Sequence, residues 1–128
     1  RMGHGDQLVI ADAFFPSDTI ASHCVIKEVV RVSGKTSDIL RDVLQLLPLD
    51  SYDPNPVAVM DRVQGDKDSD LLVEAYTDLA AAAGVGTEDD LHYIERFLFY
   101  EFAKKSFVVI QTDDSTKYAN VIVRRGVV

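Results

Sequence analysis

The sequence predicts an α/β protein, a three-layer α/β/α sandwich with a mixed, largely parallel sheet. Short apolar runs typical of buried strands alternate with segments whose apolar residues recur at helical spacing. The last two apolar runs are separated only by a polar turn, so we expect a hairpin that adds an antiparallel edge. With 128 residues and 47% hydrophobic content, the chain is expected to form one domain over residues 1–128.

The first element is the apolar run at residues 8–11, which follows a glycine-rich turn at residues 3–5 and ends at Asp12. Four successive apolar residues are typical of a strand that is buried on both faces. Ligands of open α/β sheets gather outside the carboxyl ends of strands, so Asp12 is a candidate edge of a site. In the alternative interpretation the glycines only form a turn and Asp12 only caps the next segment.

The remaining elements follow from cap residues, helical stripes and apolar runs. A cap signature at residues 87–90 would allow one helix from there to Lys105, but we predict a break into a strand and a helix. In chain order we expect a polar turn at 17–19, a strand at 25–32, a helix from Thr36 or Ser37 to Pro48, a loop at 50–55, a strand at 56–63, a charged connector at 65–69, a helix from Asp70 to its C-cap Gly84, a strand at 91–94, a helix at 96–106, and strands at 107–110 and 121–123.

Composition and charge argue against several classes of function. The formal net charge is −8 and the basic pairs Lys104-Lys105 and Arg124-Arg125 form no stripe, so nucleic acid is not expected as a partner. No apolar run approaches the ~20 residues that cross a bilayer, so we expect no membrane association and a cytoplasmic location. The histidines lack metal-ligand spacing and we expect no metal. Cys24, beside two apolar residues, is interpreted as a buried structural thiol.

Three motifs then occur in order along the chain. They are Gly3-His4-Gly5-Asp6 with Asp12-Ala13-x-Phe15-Pro16, then Arg96-Phe97-x-Phe99-Tyr100-Glu101, and finally Lys117-Tyr118-Ala119-Asn120 leading to Arg125-Gly126-Val127. Together they resemble the fucose mutarotase / ribose pyranase family over nearly the whole chain. Leu49-Asp50-Ser51-Tyr52 resembles the fucose-type members in particular. That family has a helix before its G-H-G-D turn, so we expect a front segment of the native chain to be missing or removed.

The resemblance implies a mutarotase-like domain, an isomerase that interconverts cyclic forms of a free monosaccharide without a cofactor. It implies that His4 is catalytic and that the sugar is bound by Asp12, Arg96, Tyr118, Ala119 and Asn120. It also implies a homo-oligomeric ring, with a decamer as a candidate size.

L-fucose is the first choice of substrate, but two departures from the fucose-type pattern leave the sugar open. Phe14 replaces an expected Asn or His, and Ala119 replaces an expected Gly. The alternatives are a D-ribose pyranase-type activity, a sugar-binding module without turnover, and a structural subunit that binds no sugar.

The residue types suit proton transfer to and from a sugar. Imidazole, with an unperturbed pKa of about 6.5, gives or takes a proton near neutral pH, so His4 is the natural acid/base. Tyr118 is expected to donate or relay a second proton, whereas Tyr100 is interpreted as core. An extended run between His4 and Asp12 would separate them by roughly 20–26 Å. Either the turn folds back, or His4 meets the Asp12 of a neighbouring subunit.

Overall fold

The computed structural model describes residues 5–50 and 56–126, and a six-stranded mixed sheet lies at its centre. In the described residues β1 pairs with β5, β2 with β5 and β3 with β4 in parallel, whereas β6 pairs antiparallel with β1 and β3. The predicted mixed, largely parallel sheet is confirmed. The strands are β1 Gln7–Ala11, β2 Val30–Arg31, β3 Val57–Met60, β4 His92–Ile94, β5 Val108–Gln111 and β6 Val121–Arg124, in the spatial order β2-β5-β1-β6-β3-β4.

The last strand of the chain lies in the middle of the sheet. Val121 faces Ile10 of β1 on one side and Val59 of β3 on the other. The predicted hairpin between β5 and β6 at a sheet edge is therefore wrong. Val121, Ile122 and Val123 are all buried, as expected of a strand that is covered by helices on both faces.

Helices pack on both faces of this sheet. Successive β1 side chains point to opposite faces, so Ile10 joins a core with α2 and α4 while Val9 joins a second core with α1 and α5. This arrangement confirms the three predicted layers. The helices of the described residues are α1 Ser17–Ala21, α2 Thr36–Leu46, α3 Gln64–Asp68, α4 Glu74–Ala83 and α5 Arg96–Ala103. None of them is long and apolar enough to span a membrane.

Two predicted loops are short helices. The expected polar turn at 17–19 belongs to α1, and the expected charged connector at 65–69 largely coincides with α3. Each helix has five residues, which is too few for a helical stripe to show in the sequence. α3 buries none of its residues, so no apolar periodicity marks it.

Other predicted elements are shorter in the structure than the sequence indicated. Only Val30 and Arg31 of the expected strand at 25–32 join the sheet, at its edge. The expected strand at 56–63 is β3, and α4 begins at Glu74 rather than at Asp70. Gly84 is confirmed as the left-handed C-cap of α4, with φ 70° and ψ 26°.

The break after the cap signature is confirmed. A 3-10 turn, Glu88–Asp90, carries a capping box with Thr87 and is followed by β4 and α5. Of the expected loop at 50–55, residues 51–55 lie outside the described ones. Cys24 is buried with a free thiol, as predicted.

Candidate functional site

The candidate site lies at the carboxyl ends of the parallel strands. β1 to β5 all end on this side of the sheet and β6 begins there, because β6 runs antiparallel to the other strands. A cleft of about 400 Å³ opens outside the ends of β1, β6 and β3. This is the position at which open α/β sheets bind ligands. The polar residues that line the cleft are Asp12, Asp66, Arg96, Tyr100, Lys117, Tyr118 and Asn120.

Asp12 and Asn120 form a buried pair at the base of the cleft. The Asp12 backbone N–H donates to Asn120 Oδ1 at 2.8 Å, and Asn120 Nδ2 donates to Asp12 Oδ2 at 3.2 Å. The other carboxylate oxygen of Asp12 accepts from the Phe14 N–H at 3.0 Å. Burial raises the pKa of Asp12, although the bonds from Phe14 and Asn120 favour the charged form. The pair therefore holds the Asp12 carboxyl group in a fixed position. Asp12 is only 4% exposed.

Tyr118 forms one wall of the cleft, and its hydroxyl is engaged twice. It donates to Asp66 Oδ2 at 2.5 Å and accepts from the Val63 N–H at 3.0 Å. Burial raises the pKa of Tyr118, and the bond to Asp66 raises it further. The phenol is therefore neutral near neutral pH. The Tyr118 backbone has φ 63°, a left-handed conformation that residues other than glycine rarely adopt.

Arg96 and Tyr100 come from the first turns of α5. Glu95 caps this helix, because its carboxylate accepts from the Phe97 N–H at 2.8 Å and from the Leu98 N–H at 3.2 Å. The exposed Arg96 guanidinium lies 4.7 Å from the centroid of the Phe97 ring. The cap therefore fixes the backbone from which a cationic donor reaches the cleft.

The Tyr100 ring packs edge-on against the buried Phe15, with ring centroids 5.6 Å apart. Burial raises the pKa of Tyr100, while the nearby Arg96 charge lowers it. Tyr100 thus contacts the core as the sequence indicated, but it also lines the cleft.

The structure brings Asp12, Arg96, Tyr118 and Asn120 together in the cleft, but Ala119 is not among the residues that line it. Ala119 is 1% exposed and its side chain packs in the core beneath α2 and α4. His4 lies outside the described residues. Gly5, the next residue in the chain, donates its backbone N–H to the Arg125 carbonyl at 2.9 Å. Because Arg125 follows β6, this contact is at the sheet edge opposite the cleft.

Sequence reasoning missed a group of cleft residues that come from the segment after β3. Met60 ends that strand, Val63 precedes α3, and Asp66 lies in the first turn of α3. In the sequence, the acidic residues of this segment indicate a charged connector. Their local pattern does not distinguish Asp66 from the exposed acidic residues beside it. One available signal was the rule that residues beyond a parallel strand gather at the ligand edge.

A larger surface depression of about 750 Å³ lies between α3, α4 and β4. Both of its cationic side chains already have partners, since Lys67 pairs with Asp61 at 2.8 Å and Arg62 donates to the Leu71 carbonyl at 2.8 Å. We place the site in the smaller cleft, where a buried carboxyl, a cationic donor and aromatic rings converge. Among the described residues no group of three or more His, Cys, Asp or Glu side chains could hold a metal ion.

Comparison with known proteins gives a consistent result. The family described as "RbsD / FucU transport protein family" matches residues 1–128. The chain is 41% identical to the fucose mutarotase of Homo sapiens over 128 residues, which covers 99% of this chain and 82% of that protein.

Two solved structures share the fold. FucU from Bifidobacterium longum superposes with a TM-score of 0.87 at 38% identity, covering 100% of this chain and 89% of that one. The fucose mutarotase from Streptococcus pneumoniae, solved in complex with L-fucose, superposes with a TM-score of 0.82 at 34% identity, covering 100% and 87%.

Proposed function

The chain belongs to the RbsD / FucU transport protein family, and we propose that it is an L-fucose mutarotase, an isomerase that interconverts the α and β anomers of the free sugar. One observation carries this proposal. A relative with the same fold over the whole of this chain was solved with L-fucose bound, and its name is fucose mutarotase. The human relative carries the same name at 41% identity.

The cleft offers the groups that this reaction needs. Mutarotation removes a proton from the anomeric hydroxyl and delivers another to the ring oxygen, and the open aldehyde then rotates and closes on its other face. Asp12 and Asn120 supply directional acceptors and donors for sugar hydroxyls, and Arg96 supplies a fork of donors. Ala119 contributes only backbone groups in this proposal, since its side chain is in the core.

His4 is the proposed acid/base on the evidence of its motif. If neutral His4 is the base that starts ring opening, kcat/KM falls as the pH drops through its pKa in the free enzyme. The variant His4→Ala then loses this acid limb together with most of the rate. An acid limb that persists in His4→Ala would remove His4 from the role.

We propose a site shared between two copies of the chain in a cytoplasmic homo-oligomeric ring. β1 is a five-residue strand, with Gly5 before it and Asp12 after it. A strand rises by about 3.3 Å per residue, so the two ends of β1 are too far apart for one monosaccharide to contact both within one chain. A neighbouring copy would supply its own Gly3-His4-Gly5 turn to the cleft of the first.

Exchange NMR on L-fucose at anomeric equilibrium tests the function. The protein is expected to transfer saturation between the α and β anomeric signals, and D-ribose under the same conditions is expected to respond less. Equal or stronger exchange with D-ribose would favour the pyranase-type alternative. Saturable binding by calorimetry with unchanged exchange rates would favour a sugar-binding module.

A further inference from the structure

The Tyr118 hydroxyl joins two segments of the chain that line the cleft. Tyr118 comes from the loop before β6, while both of its hydroxyl partners come from the segment around α3. Val63 is the N-cap residue of α3 and Asp66 lies in its first turn. The Asp66–Tyr118–Val63 contacts, called the tyrosine clasp below, therefore tie two segments that are more than fifty residues apart in the chain.

The α3 segment depends on polar contacts of this kind for its position. It buries no residue, so apolar packing does not hold it against the sheet. Besides the clasp, Lys67 pairs with Asp61 at 2.8 Å. On the other side, Tyr118 keeps a left-handed backbone, a conformation that costs on the order of 1–3 kcal/mol and persists only where the surroundings enforce it. The clasp is such an enforcing contact.

The clasp also decides what the phenol oxygen offers to a ligand. A tyrosine hydroxyl has one proton to donate and two lone pairs that accept. The proton points to Asp66 and one lone pair receives the Val63 N–H, which leaves one lone pair for a group in the cleft. Donation to a carboxylate polarises the hydroxyl and strengthens the bond that its oxygen accepts.

We infer that Asp66 is a positioning residue that holds Tyr118 as a hydrogen-bond acceptor for a sugar hydroxyl in the cleft. This inference rests on the proposed function and replaces the proton-donating role expected of Tyr118 from the sequence. Asp66 acts through Tyr118, because its own carboxylate is turned to the phenol. Its removal frees the phenol proton and takes away one of the contacts that hold α3 at the cleft wall.

A double-mutant cycle tests this inference in the full chain, with Asp66→Ala, Tyr118→Phe and the double variant. Each single variant is expected to raise the KM for L-fucose about tenfold, because each removes or weakens the one hydrogen bond that the phenol oxygen accepts from the sugar, with a smaller change in kcat. The double variant is expected to be no worse than Tyr118→Phe alone, because both changes remove the same contact. Asp66→Asn keeps an acceptor oxygen and is expected to recover part of the affinity.

Asp68→Ala is the matched control, since Asp68 lies on the same helix, is exposed and bonds only to the Gln64 side chain among the described residues. It is expected to leave KM unchanged. Asp66→Ala with the KM of the wild type, or losses that add in the double variant, would overturn the positioning role. Thermal unfolding of every variant shows whether a loss of activity is caused by a loss of stability. A variant that loses only kcat and is also destabilised counts against the inference.

A second measurement does not depend on turnover. With ¹³C-labelled tyrosine rings, the Tyr118 signal can be titrated by NMR above about pH 8, where phenols ionise. Asp66→Ala is expected to lower the pKa of Tyr118, because Asp66 holds the phenol proton; an unchanged pKa overturns the inference. A wild-type protein that does not accelerate the exchange of L-fucose anomers would overturn both the proposed function and the acceptor role of Tyr118. The titration is independent of that result and decides whether Asp66 raises the pKa of Tyr118.

Discussion

Asp12 combines burial with hydrogen bonds from Phe14 and Asn120 to its carboxylate, and the balance between burial and these bonds sets its pKa. Because burial raises its pKa, the native protein holds the Asp12 proton more tightly than the unfolded chain does. As the pH rises above the ordinary value of 3.8, the unfolded chain releases this proton first. The free energy of unfolding therefore falls through this window and levels off above the raised native pKa.

The first prediction compares the wild type with Asp12→Asn, which is neutral at every pH. The wild type is expected to lose stability relative to Asp12→Asn as the pH increases from about 3.8 towards neutrality. Urea unfolding midpoints measured at successive pH values check this trend. Midpoints that stay a constant distance apart across the window would mean that Asp12 has no raised pKa in the native state.

The second prediction concerns Asn120, which accepts from the Asp12 backbone and donates to its carboxylate. Asn120→Ala leaves a buried N–H and a buried carboxylate without these partners, so the free energy of unfolding is expected to fall by about 1–3 kcal/mol. L-fucose exchange should fall with it. Ser115→Ala, an exposed change in the same loop, is the control and is expected to alter neither quantity. Equal stability of both variants would contradict the buried pair.

At the scale of elements, α2 is capped from a distant part of the chain. The sequence predicted Thr36 or Ser37 as the cap, but the Thr36 N–H donates to Asp114 Oδ2 at 3.0 Å. Burial alone would raise the pKa of Asp114; the N–H groups of Thr116 and Thr36 outweigh it and hold the pKa below its ordinary value. A carboxylate at a helix N-terminus is also favoured by the helix dipole.

The third prediction follows from this cap. Asp114→Ala is expected to lower the free energy of unfolding by about 0.5–2 kcal/mol at neutral pH. Because the native pKa is lowered, the difference is present above pH 3.8 and disappears as the pH falls through the native value. Asp113→Ala removes the same charge from an exposed neighbour and should cost less. Chemical denaturation at neutral and acidic pH distinguishes a charged cap from a neutral hydrogen bond.

The elements also show what the sequence could and could not predict. Periodic helices such as α2 and α4, and the apolar strands, were predicted because burial on one face or on both leaves a pattern. α3 and the central place of β6 were missed, since polar contacts and pairing between distant strands leave no local pattern. The cleft shows the same difference. Its residues Asp12, Arg96, Tyr118 and Asn120 were predicted from motifs, whereas Asp66 was missed because its place in the cleft depends on a contact with the distant Tyr118.

At the scale of the whole molecule, Gly5 and the cleft occupy opposite edges of the sheet. The fourth prediction is that inactive His4→Ala and Asp12→Ala proteins, dissociated and reassembled together, regain part of the exchange activity. Some interfaces in such a mixture carry both intact groups. Light scattering shows whether mixed oligomers form. Mixed oligomers as inactive as either parent would mean that both residues act within one chain.

The position of β6 also affects how the protein is made. Residues 121–124 are translated after the other five described strands, yet they join β1 to β3 and so connect two parts of the sheet, β2-β5-β1 and β3-β4. Until they arrive, the growing chain exposes two apolar strand edges, a form that invites pairing with other chains. The addition of β6 therefore covers both edges, and a chain that stops short of Val121 is expected to aggregate rather than to fold with a shortened end.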